Sequence, residues 1–133
     1  MKADRLDVMP IASTYGDAAT HPSSIDLAAA APGTEIEAMR IPVGAELYGV
    51  TLVNDALGAS STLQVGVKYP YGGGTDDPDQ FLPSGGSASA GVRTNYFHPI
   101  RFENEAVLTA TTGGAATTGK VTVIPHYRYL GTK

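Results

Sequence analysis

The chain of 133 residues carries 13 acidic and 9 basic side chains, a formal net charge of −4 and no cysteine. Without cysteine it forms neither disulfides nor thiolate metal sites, and without a basic stretch it is poorly suited to bind nucleic acid. No apolar run reaches the length of about 18 residues that spans a membrane, and no apolar segment follows the N-terminus as in a secretory signal. The length fits one domain.

The first 33 residues hold few apolar side chains, and Pro10, Gly16 and Pro22 separate them. We expect an extended N-terminal arm over residues 1–33. Residues 24–31 are rich in alanine and could form two helical turns, although so short a helix needs packing to persist. Fully stretched, the arm would reach on the order of 100 Å. It could lie on its own domain or reach another subunit, and we favour the second.

Alternation of apolar and polar residues predicts β-strands in a domain spanning residues 34–133. Residues 35–41 alternate, and residues 47–53 are apolar on both faces, as in a central strand. Residues 62–69 show the cleanest alternation. Their predicted inward side chains are Leu63, Val65, Val67 and Tyr69.

Residues 70–99 are predicted as a long connection, because glycine, serine and proline recur in it. Within it, Asp77 can cap a single helical turn, and Pro78 fits the first helical position. We expect Phe81 and Leu82 to pin this turn to the domain. A loop of this length is uncommon unless it is functional or mobile.

Two further strands are predicted over residues 106–112 and 120–129. Pro125 cannot donate a hydrogen bond to a neighbouring strand, so we expect the second to be an edge strand or to carry a bulge. Six or seven short strands with little helix indicate an all-β fold. We predict an antiparallel β-sandwich or jelly roll with an extended N-terminal arm.

The polar side chains form no recognised catalytic or metal pattern. The histidines stand far apart, at His21, His98 and His126. One acidic cluster comprises Asp76, Asp77 and Asp79. Its carboxylate oxygens could bind calcium, but the spacing lacks the pattern of a calcium-binding loop. Helix capping explains these residues more simply. Glu103 and Glu105 could pair as in glycosidases, although solvation at a loop edge is the commoner reason. We therefore expect no enzymatic activity, metal or cofactor.

Tyrosine supplies most of the aromatic content, with seven residues. It is favoured at interfaces because its ring buries apolar area while its hydroxyl stays polar. Tyr48, Tyr127 and Tyr129 are expected to cap the sandwich core, whereas Tyr71 and Tyr96 flank the long connection and are better contact candidates. The candidate partner-binding residues are Leu6, Val8, Ile11 and Tyr15 in the arm, with Tyr71, Phe81 and Tyr96 in the connection.

The chain resembles the decoration (cement) proteins of tailed-bacteriophage heads, most closely their jelly-roll type. Three stretches carry the resemblance: IPVGAELYGVTLVNDALGASSTLQVGVKY from residue 41, TDDPDQFL from residue 75 and EAVLTATTGGAATTGKVTVIPHYRY from residue 105. It implies assembly in the host bacterial cytoplasm and a place on the virion exterior. There the protein would bind the major capsid protein and cement neighbouring subunits against the pressure of packaged DNA.

The resemblance also implies many copies, which turn modest contacts into high avidity. A homotrimer is the expected oligomer and a dimer the second choice. Two other functions stay open on the sequence alone. One is a carbohydrate- or host-binding β-sandwich module. The other is a different virion component, such as a tail or head–tail connector protein.

Overall fold

The computed structural model of the protein describes residues 18–20 and 22–129, and it contains nine β-strands in that part of the chain. No helix long and apolar enough to cross a membrane occurs among these residues. The strands are β1 (Ala18–Thr20), β2 (Ser23–Ala30), β3 (Glu35–Ile41), β4 (Ala45–Asn54), β5 (Thr62–Lys68), β6 (Asp77–Gly86), β7 (Gly91–Arg101), β8 (Ala106–Gly113) and β9 (Thr117–Tyr129).

The strands form two antiparallel sheets, which confirms the predicted β-sandwich. The five-stranded sheet has the order β1–β9–β4–β7, with β2 also paired to β9, and the four-stranded sheet has the order β3–β8–β5–β6. Strands β1 and β2 follow one register along β9, since Thr20 lies opposite His126 and Ser23 lies opposite Val123. They therefore occupy a single edge position of the five-stranded sheet.

The core lies between the sheets and consists of the side chains that alternate inward from both. Of the side chains predicted to face inward, Leu63, Val65 and Val67 of β5 are buried. Central strand β4 contributes Leu47, Val50 and Leu52, all fully buried. Burying a side chain of this size contributes about 1.5–3 kcal/mol. The other large core residues are Ile36, Met39, Ile41, Leu57, Leu63, Val65, Val67, Phe81, Leu108, Val121, Val123 and Tyr127.

The prediction of helical turns over residues 24–31 is wrong, because residues 23–30 form strand β2. Ile25 and Leu27 are buried in the core while β2 pairs with β9, and Ser23 Oγ donates to the Ala38 carbonyl oxygen at 2.7 Å. Tertiary packing and pairing thus override the helix propensity of alanine. Residues 23–30 thus pair within the five-stranded sheet.

The long connection predicted over residues 70–99, with its helical turn at residues 77–82, is also wrong, since β6 and β7 occupy most of it. Strand β6 pairs with β5 irregularly: Val65 lies opposite Leu82, yet Val67 lies opposite Asp77. The β6 backbone approaches β5 closely at Gly66, where an added Cβ would lie 2.0 Å from the Asp77 carbonyl oxygen. The absence of a side chain at Gly66 therefore makes this crossing possible.

Strand β7 closes one side of the sandwich by reaching from the five-stranded sheet to β6. Arg93 donates to the carbonyl oxygens of Leu63 and Pro83 at 2.7 and 3.0 Å, and Asn95 donates to that of Phe81 at 2.8 Å. Burial lowers the pKa of Arg93. These polar side chains fill inward positions in the first half of β7, whereas Phe97 and Ile100 in its second half pack partly against the core.

The expectation that Pro125 marks an edge strand is wrong. Strand β9 lies inside its sheet, between β4 on one side and β1 and β2 on the other. Val50 lies opposite Pro125, and a register shift occurs nearby between Leu47 and Gly49 of β4. The predicted irregularity is thus present beside Pro125, but the extra residue, Tyr48, belongs to the neighbouring strand.

Candidate contact surface

The outer face of the five-stranded sheet has no Asp, Glu, Lys or Arg side chain at its centre. Three strands contribute to it, and their outward residues alternate with the core residues described above. We call this surface the neutral face. It comprises Tyr48, Thr51 and Val53 of β4, Val92, Thr94 and Tyr96 of β7, and Ile124 and His126 of β9.

His126 lies at the middle of the neutral face and links its three strands. Its Nε2 atom lies 2.8 Å from Thr51 Oγ1, which in turn lies 3.0 Å from Thr94 Oγ1. The ring centroids of Tyr96 and Tyr48 lie 5.2 and 6.3 Å from that of His126. Partial burial lowers the pKa of His126, which favours the uncharged imidazole and keeps the surface without net charge.

The Tyr96 ring lies close over Gly49 of β4, which is possible because Gly49 has no side chain. A Cβ added at Gly49 would lie only 2.6 Å from Tyr96 Cδ1. Even so, Tyr96 is 65% exposed, and Val92 on the same strand is 64% exposed. Exposed aromatic and aliphatic side chains grouped on one uncharged surface are typical of protein contact sites.

Charged residues lie where the neutral face ends. At one end, Arg128 Nε donates to Glu46 at 2.6 Å, and Arg101 is the cross-strand neighbour of Glu46 on β7. Towards the other end, Lys120 lies opposite Asp26. Interfaces commonly combine an uncharged centre with a polar rim, and the neutral face has this arrangement.

The outer side of the four-stranded sheet has the opposite character. Lys68 Nζ lies 2.6 Å from Glu35 Oε1 and 2.5 Å from Glu37 Oε1. Burial opposes the charged ammonium, but the hydrogen bonds and charges of both glutamates outweigh it and raise the pKa of Lys68. An open cleft of about 410 Å³ lies here. Its lining residues are Glu37, Arg40, Lys68, Pro70, Tyr71, Glu105 and Val107.

Two of the predicted contact residues are accessible and one is not. Tyr71 is 79% exposed and Tyr96 is 65% exposed, whereas Phe81 is 1% exposed. Phe81 stacks on Phe97 of β7, with ring centroids 5.0 Å apart, so it stabilises the junction of β6 and β7 and is unavailable to a partner. The four predicted arm residues lie outside the described part of the chain; they are Leu6, Val8, Ile11 and Tyr15.

The three tyrosines expected to cap the core differ in their surroundings. Tyr127 is buried, and burial raises the pKa of its hydroxyl. Tyr129 packs partly against the core. Tyr48 instead lies on the neutral face beside His126. The alternation of Tyr48, Thr51 and Val53 along β4, interrupted by one extra residue, is the sequence signal that could place these residues on the outer face.

The candidate metal ligands do not come together in the described residues, where no group of three potential ligands is present. Asp76 Oδ1 accepts a hydrogen bond from the Tyr69 amide at 2.7 Å, and Asp77 Oδ1 accepts one from the Asp79 amide at 3.3 Å. Contact with Asp77 raises the pKa of Asp79. These carboxylates therefore order the approach to β6 instead of capping a helix.

The other polar candidates are equally separated. Glu103 and Glu105 lie in the connection between β7 and β8 and not in a strand. His98 is exposed on β7, and His21 lies outside the described residues. Ser87 is buried, with its hydroxyl 2.8 Å from that of Ser61, which is a structural contact.

No protein-family model and no curated protein matches this chain. Solved structures do match. The chain is 21% identical to a chain of "Capsid of Ralstonia phage GP4", with a TM-score of 0.76 over 100% of this chain and 99% of that one.

Two other solved structures contain a similar chain. "Acidic stable capsid structure of Helicobacter pylori bacteriophage KHP30" gives 18% identity and a TM-score of 0.62 over 89% and 92% of the two chains. "Cyanophage Pam1 capsid asymmetric unit" gives 20% identity and a TM-score of 0.59 over 92% and 91%. At these identities the likeness shows a shared fold.

Proposed function

We propose that this protein is a structural component of a bacteriophage virion that binds the outer capsid surface and cements neighbouring major capsid subunits. The observation that carries the proposal is the fold shared over 100% of this chain with a chain of a phage capsid structure. The bacteriophage capsid chains with TM-scores of 0.62 and 0.59 support the same role. Binding to a capsid needs surfaces that make contacts and no catalytic group.

The strand order supports the finer fold prediction, a jelly roll. With β1 and β2 counted as one edge position, each sheet has four positions, and most successive strands alternate between the two sheets. Eight strands in two such antiparallel sheets are the arrangement of a double-sheet jelly roll. Jelly rolls are common in viral capsid domains.

We assign the contacts with the capsid to exposed, uncharged surface. The neutral face offers Tyr96 and Val92, and the opposite sheet offers Tyr71 at the edge of its cleft. An uncharged contact surface loses little free energy on desolvation, since no unpaired charge is buried. Repetition over many copies then multiplies modest contacts into stable attachment. A homotrimer is the proposed oligomer, with a dimer as the second choice.

The test is binding to capsids of the parent phage that were assembled without this chain. We expect saturable co-sedimentation, with a copy number set by the local symmetry axes of the shell. Decorated capsids should also retain DNA to higher temperature than bare ones. Absence of binding by folded protein would refute the proposal.

A matched pair of variants tests which surface is used. Thr94→Glu places a charge on the neutral face at an exposed position, and Ser84→Glu places the same charge on exposed β6. We expect Thr94→Glu to weaken capsid binding at least tenfold and Ser84→Glu to leave it nearly unchanged. Glycan binding by an isolated monomer would instead indicate a carbohydrate-binding module. Assembly into rings or tubes would indicate a tail component.

A further inference from the structure

The N-terminal sequence contains an uncharged stretch that matches the neutral face in character. Residues 8–16 read VMPIASTYG and lie between Asp7 and Asp17. Val8, Ile11 and Tyr15 are bulky, and the remaining residues of the stretch are small, polar without charge or flexible. A surface without charge and a segment without charge can come together with no cost of burying an unpaired ion.

The course of β1 determines where this segment leaves the domain. Strand β1 begins at Ala18, opposite Arg128, and the chain then runs along β9 towards Ser23, opposite Val123. Ala18 therefore lies at the end of the sheet where β9 finishes, near the Glu46–Arg128 ion pair. This end lies away from the centre of the same copy's neutral face.

The segment is long enough to reach beyond its own domain. Seventeen extended residues span at most about 60 Å, whereas a domain of this size has a radius of gyration of about 13 Å. This length, together with the starting point at the end of the sheet, allows residues 8–16 to contact a second copy of the chain. On the other side of that contact, Tyr96 and Val92 are exposed, and the hydroxyls of Thr51 and Thr94 can offer hydrogen bonds.

We infer that residues 8–16 of one copy dock on the neutral face of a second copy of this chain. Val8, Ile11 and Tyr15 would cover Val92 and Tyr96, and the Thr94–Thr51–His126 hydrogen-bond chain would lie beneath them. The contact goes beyond the proposed function, because it joins identical chains and needs no capsid. Where the segment docks, it occupies the neutral face, and direct contact with the capsid would then fall to the remaining exposed surface, which includes Tyr71. Cross-linking without capsids reads out the docking and co-sedimentation reads out capsid binding, so either result can be negative while the other is positive.

The absence of cysteine from the natural chain allows a direct cross-linking test. A tagged full chain carrying Ser13→Cys is co-expressed with an untagged full chain carrying Thr94→Cys, and the mixture is mildly oxidised. We expect a disulfide-linked heterodimer at a yield at least fivefold above that of a control in which Ser84→Cys replaces Thr94→Cys. Ser84 is exposed on β6, outside the neutral face.

Charge variants in the tagged chain show whether docking depends on the uncharged stretch. Adding Ile11→Asp should reduce the heterodimer to the control yield, whereas Ala3→Asp, outside the stretch, should not. A yield equal to the control for the unmodified segment would overturn the inference. So would an internal disulfide, without covalent dimer, in a dilute chain carrying both Ser13→Cys and Thr94→Cys, because it would place the segment on its own domain.

Discussion

Replacing Gly66 by alanine tests whether the close crossing of β6 over β5 is set by the absence of a side chain. The added Cβ would lie 2.0 Å from the Asp77 carbonyl oxygen and 2.3 Å from the Pro78 carbonyl carbon. Both are backbone atoms, so no side-chain rotation can relieve the contact. The β6 backbone must retreat by at least about 1 Å to reach the 3.0 Å below which real Cβ contacts essentially never fall.

A retreat of β6 disturbs what that strand holds in place. Phe81 and Leu82 bury their side chains from β6, and Asn95 of β7 donates to the Phe81 carbonyl oxygen. Forcing extra atoms into a well-packed site typically costs about 1–3 kcal/mol. We expect Gly66→Ala to lower the free energy of unfolding by about 2 kcal/mol, a large part of the roughly 5–15 kcal/mol of a typical domain.

The control is Gly86→Ala at the end of β6, the strand that approaches Gly66, where an added Cβ would meet nothing within 4 Å. At such a site alanine stabilises by about 0.4–1 kcal/mol or is neutral, because it restricts the unfolded chain. Urea unfolding measures both variants. With a slope of about 1.5 kcal/mol per M, Gly66→Ala should unfold at a urea concentration lower by about 1.3 M. Equal midpoints for the two alanine variants would refute the close-approach argument.

Three further predictions concern the core and the two outer faces. Phe81→Ala should destabilise the fold by about 3–5 kcal/mol, whereas Tyr71→Ala should stay within about 0.5 kcal/mol of the parent in denaturant unfolding; similar losses would contradict the contrast in their burial. NMR titration should give His126 a pKa below the ordinary value of about 6.5. Because the unfolded chain then takes up the proton at a higher pH than the folded chain, the free energy of unfolding falls as the pH drops from about 6.5 through the folded-state pKa. His126→Gln should remove that part of the loss. Lys68→Met should lower the free energy of unfolding by up to about 1 kcal/mol. If this loss is no smaller in 1 M salt, its cause is not electrostatic.

Strands with a regular inward pattern could be predicted from the sequence. Residues 62–69 alternate cleanly, and β5 buries the predicted Leu63, Val65 and Val67, while Tyr69, just past its end, is partly buried. Residues 47–53 are apolar on both faces, and β4 lies inside its sheet. In both cases burial in the core contributes most of the strand's stability, so the hydrophobic pattern follows the structure directly.

Strand β7 could not be predicted in this way because the pattern of its first half, residues 92–96, is reversed. Arg93 and Asn95 face inward and bond to backbone carbonyls of β5 and β6, while Val92 and Tyr96 face outward and are exposed. A prediction that expects apolar residues to face the core therefore assigns such a segment to a loop. The alanine-rich β2 escapes prediction for a different reason, since pairing with β9 overrides its local helix propensity.

The candidate contact surface was only partly predictable. Tyr96 is a contact candidate from the sequence because it belongs to an interface-prone residue type in a segment that reads as a loop, and it is exposed as expected. The grouping of Tyr96 with Tyr48, Thr51 and His126 depends on the registers of β4 with β7 and of β4 with β9. Sequence separations of 30 residues or more join these strands, and no local pattern specifies their registers.

The few charged residues of the chain are distributed unevenly over the surface of the sandwich. Only 17% of the residues are charged, against about 25% in typical domains. Lys68 with Glu35 and Glu37 lies on the outer side of the four-stranded sheet, and Glu46 with Arg128 lies where the neutral face ends. The centre of the neutral face thus lacks charge, while charged pairs lie at its ends and on the other sheet. A protein that had only to stay dispersed would gain nothing from leaving one broad face without charge, because net and distributed charge favour solubility. The proposed contacts would cover such a face, and they would account for its exposed tyrosine and valine.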